Sequence, residues 1–193
     1  MDSGDNRINE FSLRRFFILI STGAGLIAFG VAMLLFMKDD YAPASSTDFV
    51  AVPAEVDFSA PDLELRTLEG EPASLKAHRG SVVLVNLWAT WCPPCRREMP
   101  ALQAFYEEYK GGGFVLIAIN QEESRDIVEE FVDEFGLAFP VWLDEDYLAQ
   151  RQFGTASLPS SYVIDRTGRV RLLWIGGISK TNLEKYVPPL IAE

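Results

Sequence analysis

Residues 81–100, SVVLVNLWATWCPPCRREMP, carry a strand, a reactive pair and a helix start in one run. The first eight are rich in β-branched valine and largely apolar on both faces, the pattern of a strand buried inside a sheet. Cys92 and Cys95, the only cysteines in the chain, follow almost at once. Beyond them Met99, Leu102, Phe105, Tyr106 and Tyr109 recur at helical spacing, and Gly111–Gly113 ends a helix predicted over 93–110. A strand that runs into a helix N-terminus puts Cys92 where free N–H groups and the helix dipole stabilise a thiolate. Pro93 and Pro94 suit the first turn, because an N–H there would have no intrahelical partner. The N–H groups of Cys95 and Arg96 are then expected to serve the Cys92 sulfur, with positive charge from Arg96 and Arg97 nearby.

Two cysteines at this spacing can hold a haem, share a metal, staple the chain or exchange disulfides. A c-type haem needs histidine after the second cysteine, and position 96 is arginine. A structural zinc needs four ligands, and His78 is the only histidine to add to the two thiols. A structural disulfide across so short a loop constrains the unfolded chain little. Redox exchange fits best, and it requires neither cofactor nor metal.

Outward from this stretch the pattern alternates strand and helix. LELRT (63–67) reads as a half-buried strand before a turn at Glu69-Gly70, and FVLIAIN (114–120) as a second buried strand. Residues 124–135 predict a helix with Ile127, Val128, Phe131 and Phe135 on its apolar face and an acidic, solvated opposite face. PVWL (140–143) is a short strand, and a helix near 145–153 stops at Gly154. SYVID (161–165) and RVRLLWI (169–175) form a hairpin around Arg166-Thr167-Gly168. A last helix starts near Ser179 and ends or kinks before Pro188-Pro189. The order gives an α/β fold with a mixed central sheet flanked by helices on both faces.

The N-terminal part differs. Residues 16–37 hold 22 residues without a charge, and as a helix at about 1.5 Å per residue they span roughly 33 Å, the thickness of a bilayer core. Arg7, Arg14 and Arg15 precede the run, so the positive-inside rule keeps residues 1–15 in the cytoplasm and places the body outside. Ala42-Pro43-Ala44 resembles a cleavage site, but the apolar run exceeds the ~7–15 residues of a signal peptide, which favours a retained transmembrane helix. Residues 38–57, rich in Ala, Ser, Pro and Asp, read as a linker, and 58–193 as the domain. The chain carries a net charge of -11, and from Asp39 onward 25 Asp and Glu face 13 Lys and Arg, which argues against nucleic acid as a partner.

The segment from Asn86 to Pro100 resembles the active-site segment of TlpA/ResA-like thiol–disulfide oxidoreductases, membrane-anchored bacterial proteins of the thioredoxin superfamily. A60-P-D-L-E-L before it, and S157-L-P-S-S-Y-V-I-D with its R-T-G turn after it, match the same pattern, and the resemblance covers about residues 58–191. It implies a thioredoxin-like fold, with the α-β unit near 124–143 as an insertion. It implies that Cys92 is an exposed nucleophile, that Cys95 resolves the mixed disulfide, and that Pro159 is a cis-proline facing the dithiol. Leu158, just before it, would pair with a substrate strand. Glu98 matches an acidic residue that tunes the cysteines and shuttles a proton. Where ordinary thioredoxins carry a buried aspartate this chain has Asn86, which cannot take a proton. Trp91, Pro93 and Pro94 are expected to shape the substrate surface, whereas Trp88 belongs to the core and His78 to a loop or the surface.

The resemblance also implies partners: a protein disulfide client, such as apocytochrome c or a copper-site protein, and a CcdA/DsbD-type membrane electron donor. Other functions remain to be weighed. A peroxiredoxin uses T-x-x-C, but Thr90 lies only two residues before Cys92. A Sco-type copper chaperone uses C-x-x-x-C with a later histidine, and none follows His78. A DsbA-type oxidant stays open, because direction depends on a potential that C-P-P-C does not disclose.

Overall fold

The computed structural model describes residues 52–193 and, separately, Met33. The predicted membrane span, Met33 aside, and most of the predicted linker lie outside the described residues. Among the described residues no helix is long and apolar enough to cross a membrane.

The strands are β1 (Ala54–Ser59), β2 (Glu64–Thr67), β3 (Pro72–Ser74), β4 (Val82–Trp88), β5 (Phe114–Gln121), β6 (Val141–Asp144), β7 (Ser160–Ile164) and β8 (Arg169–Ile175). The helices are α1 (Pro93–Tyr109), α2 (Arg125–Phe135), α3 (Leu148–Phe153), α4 (Lys180–Tyr186) and α5 (Pro188–Ala192), with a short 3-10 turn at Leu75–His78. All eight strands form one sheet in the order β1-β8-β7-β4-β5-β6-β2-β3. β5 pairs parallel with β4 and β6, and the other pairings are antiparallel.

β4 is buried along its whole length, so its alternation serves two cores. Leu84 and Trp88 face Met99, Leu102 and Phe105 of α1 together with Phe131 of α2. Val83, Val85 and Leu87 face the other way, against Leu75 and against Ala149 and Phe153 of α3. Each fully buried side chain of this size contributes about 1.5–3 kcal/mol by leaving water. Asn86 breaks the apolar run on the α1 face, and its burial is complete.

Three expectations need correction, and one strand has no counterpart among them. The linker does not run to residue 57, because Ala54–Ser59 is an edge strand antiparallel to β8. Ala54, Val56 and Phe58 do alternate with Glu55, Asp57 and Ser59, but they continue a stretch rich in Ala, Ser, Pro and Asp, and Val56 alone of the six side chains is not exposed. β3 follows the Gly70 turn as the second strand of a hairpin, too short and too close to Pro72 to announce itself. On α2 Ile127 is 50% exposed; the inward stripe is Val128, Phe131, Val132 and Phe135, the true i, i+3, i+4, i+7 set. α3 starts at Leu148 rather than near 145, where the Asp144 carboxylate accepts the N–H groups of Leu148 and Ala149, both at 2.8 Å.

Candidate active site

Cys92 is the N-cap of α1, in extended conformation, with both prolines in the first turn. Cys92 and Cys95 are joined by a disulfide, their Cα atoms 5.2 Å apart. The Cys95 N–H points at Cys92 Sγ at 3.3 Å. The Arg96 N–H does not join it: it donates to the Cys92 carbonyl at 3.1 Å, the first regular bond of the helix. The Arg96 guanidinium pairs with Glu134 at 3.0 Å and lies over the rings of Phe131 and Phe135. Of the two expected N–H donors, one reaches the sulfur, and one of the two expected cations is engaged by a carboxylate. The expected exposure of Cys92 also needs correction. In the oxidised chain Cys92 is 3% exposed and Cys95 fully buried, because the first turn of α1 lies on the sheet.

Glu98 sits three residues beyond Cys95, on the same face of α1. It is buried, not a helix-surface glutamate. Its Oε1 accepts from Asn86 Nδ2 at 2.8 Å and its Oε2 from the Ile178 N–H at 2.9 Å. Burial raises the carboxyl from its ordinary 4.5 to about 8, against the pull of these two donors. Asn86 gives its second amide hydrogen to Ser161 Oγ at 2.9 Å, which ties the carboxyl to β7. Its Oδ1 is buried without a partner among the described residues. Asparagine at this position therefore orients Glu98 as a donor and leaves the proton to it.

The Leu158–Pro159 peptide is cis. Ser160, next in the chain, pairs with Leu87, so Pro159 lies at the end of the sheet where β4 hands over to Cys92. The Pro159 carbonyl accepts from the Gly176 N–H at 2.8 Å. The same loop passes over the helix start: a Cβ on Gly177 would lie 3.8 Å from Glu98 Oε2 and 3.9 Å from the Pro94 carbonyl. The structure thus brings Pro94, Glu98, Pro159 and the cysteines around one loop. Leu158 packs against both cores, yet its backbone N–H and C=O have no partner among the described residues. Trp91 is 65% exposed beside Cys92, with Pro93 exposed next to it. Trp88 is buried against Phe131, and His78, half-buried in the 3-10 turn beside Trp142, has its imidazole lowered by burial.

Sequence patterns gave no sign of Glu123. Its carboxylate accepts from the Thr90 N–H at 2.7 Å, from the Thr90 hydroxyl, and from Asn120 Nδ2 at 2.7 Å. Thr90 lies 33 residues away, and no periodicity links the two. Among the described residues no group of three or more His, Cys, Asp or Glu is placed to hold a metal ion.

The chain is similar to known proteins. Residues 56–173 match the AhpC/TSA family. The thiol-disulfide oxidoreductase ResA of Geobacillus thermodenitrificans is 36% identical over 132 residues, 68% of this chain and 76% of the relative. A thiol:disulfide interchange protein of the thioredoxin family from Chlorobium tepidum superposes with a TM-score of 0.64 at 29% identity, covering 72% of this chain and 99% of the other. A secreted thiol-disulfide isomerase from Corynebacterium glutamicum gives a TM-score of 0.68 at 25% identity over 79% and 96%. The fold is thioredoxin-like, and the chain belongs to the AhpC/TSA family and within it to the ResA/TlpA-like enzymes: it is a thiol–disulfide oxidoreductase.

Proposed function

We propose that the protein is a membrane-tethered reductase of protein disulfides, working outside the cytoplasm. The Cys92 thiolate attacks a client disulfide, one client sulfur leaves as thiolate, and Cys92 is left in a mixed disulfide. The Cys95 thiol then loses its proton and its sulfur attacks Cys92 Sγ. The Cys92–client bond breaks as the Cys92–Cys95 bond forms, and the second client sulfur leaves. Two electrons pass from the Cys pair to the client. Glu98 accepts the Cys95 proton in its ionised form, whose share grows as pH rises toward about 8, and the free Leu158 backbone beside Pro159 takes a client strand across Trp91 and Pro93.

The observation that carries the direction is a cysteine pair with few donors to a thiolate. Disulfide oxidants owe their strength to a stabilised thiolate in the reduced form. Here the prolines remove two N–H groups and Arg96 is paired with Glu134, so neither helps to stabilise a thiolate. Each feature weakens the reduced form and favours giving electrons away. The 22-residue apolar run before the domain supports the tether, and the charge pattern around it supports the outward orientation. Apocytochrome c or copper-site cysteines are the clients this reading assigns, with a CcdA/DsbD-type membrane protein restoring the dithiol.

The test is a Cys95→Ser full-length chain expressed in its own cells. Attack by Cys92 still occurs and resolution does not, so clients accumulate as mixed disulfides that reductant releases. Identification of outward-facing thiol proteins supports the proposal; a variant that captures nothing contradicts it. Labelling of the reduced wild-type pair in intact cells by a membrane-impermeant maleimide checks the location, and protection until lysis would place the domain inside.

A further inference from the structure

The turn that delivers Cys92 is held by a carboxylate that the exchange steps leave unused. Ala89, Thr90 and Trp91 join β4 to α1, and the Cys92 N–H donates back to the Ala89 carbonyl at 3.2 Å. Thr90 is gripped from outside this turn. Its N–H donates to Glu123 Oε2 at 2.7 Å and its hydroxyl donates to Oε1 of the same carboxylate. Asn120 Nδ2 also donates to Oε2, so the end of β5 aims the carboxylate before it reaches Thr90. A second tie comes from Arg96, which reaches the Thr90 carbonyl at 3.5 Å and is itself held by Glu134 of α2. Both carboxylates belong to the β5–α2 stretch.

We propose that Glu123 is a positioning residue for exchange: by fixing Thr90 it keeps Cys92 within reach of Cys95 once their disulfide is open. The inference rests on exchange at this pair and not on its direction. In the oxidised chain the S–S bond itself holds the sulfurs together. In the dithiol and in the mixed disulfide that constraint is gone. Cys95 is locked inside α1, while Cys92 is the cap residue at the end of a short turn. Ring closure is then an intramolecular reaction, and its effective concentration depends on the freedom that turn has already lost. A bidentate grip two residues from Cys92 removes freedom where it matters. It speeds the step in which the Cys95 sulfur displaces the client from Cys92 Sγ, and it favours the closed disulfide at equilibrium.

Three variants of the full-length chain in detergent test this. Gln at 123 offers one acceptor oxygen to three donors, so at least one donor faces an amide N–H2. Thr90→Val removes only the hydroxyl bond, and Thr90→Ser keeps both. Each is equilibrated in glutathione buffers, and resolution of a glutathione mixed disulfide on Cys92 is timed. In Glu123→Gln the equilibrium constant for closure falls about tenfold, which is about 30 mV for a two-electron couple. Resolution slows by a similar factor, while the first attack of the dithiol on a small disulfide changes less than about twofold. Thr90→Val falls between this variant and wild type, and Thr90→Ser matches wild type. A folded Glu123→Gln with wild-type potential and resolution rate overturns the proposal. If that variant fails to fold, wild-type values in Thr90→Val overturn it. A wild-type chain that never cycles against glutathione would instead overturn exchange itself.

Discussion

Glu98 couples the chemistry of the site to the stability of the fold. In the folded chain its carboxyl holds a proton up to about pH 8, whereas the ordinary value is 4.5. Between these limits the folded state binds the extra proton. The stability this group contributes is therefore full below pH 4.5 and is lost as pH rises through about 8. Glu98→Gln has no proton to lose. Its amide must also turn an N–H2 toward either Asn86 Nδ2 or the Ile178 N–H, at a cost of about 1–3 kcal/mol. The variant is expected to be less stable than wild type in acid, with the gap closing as pH approaches 8, read from unfolding midpoints across that range. It should also slow resolution by Cys95 about a hundredfold at neutral pH and erase the inflection of that rate near pH 8. Two parallel stability curves would remove Glu98 as the titrating group. The cysteine pair was legible from the sequence because its chemistry is written in residue type and spacing. Glu98 was legible only through resemblance, since a glutamate on a helix carries no mark of burial. Glu123 was not legible at all, because its partner Thr90 sits across a fold that must first be known.

At the scale of elements, α2 is fastened to the site by its inward face. Phe131 is 3% exposed, stacks on Phe135 with centroids 4.3 Å apart, and packs against Trp88 at 4.7 Å. Phe131→Ala leaves a cavity under the strand that leads to Cys92 and should cost about 3–5 kcal/mol in denaturant unfolding. Ile127→Ala, four residues earlier and half exposed, should stay within about 0.5 kcal/mol. Equal losses at the two positions would mean that the face is misplaced. The sequence grouped Ile127 with the inward residues because it adjoins Val128, while Val132 completes the stripe that packs inward. Elements with a full pattern, β4, β5 and α1, were readable to within a residue or so. β1 and β3 were not: the alternation of Ala54–Ser59 is masked by the Ala-, Ser-, Pro- and Asp-rich stretch it continues, and β3 is three residues long beginning at proline.

At the scale of the whole molecule, β4 lies in the interior of an eight-stranded sheet and delivers Cys92 at its end, where α1, the Pro159 turn and the β8–α4 loop meet. Both faces of the strand are buried, so the cysteine pair is delivered from a well-packed part of the fold. Around it the prolines and the engaged Arg96 leave the reduced pair poorly stabilised. The most direct test is the reduction potential of the Cys92–Cys95 couple in the full-length chain, by equilibration against defined thiol–disulfide buffers. The account predicts a value near that of thioredoxin, roughly -270 mV, or lower, as suits a protein that passes electrons to disulfides. A value near roughly -120 mV, that of DsbA, would mean that the protein inserts disulfides, and would contradict it.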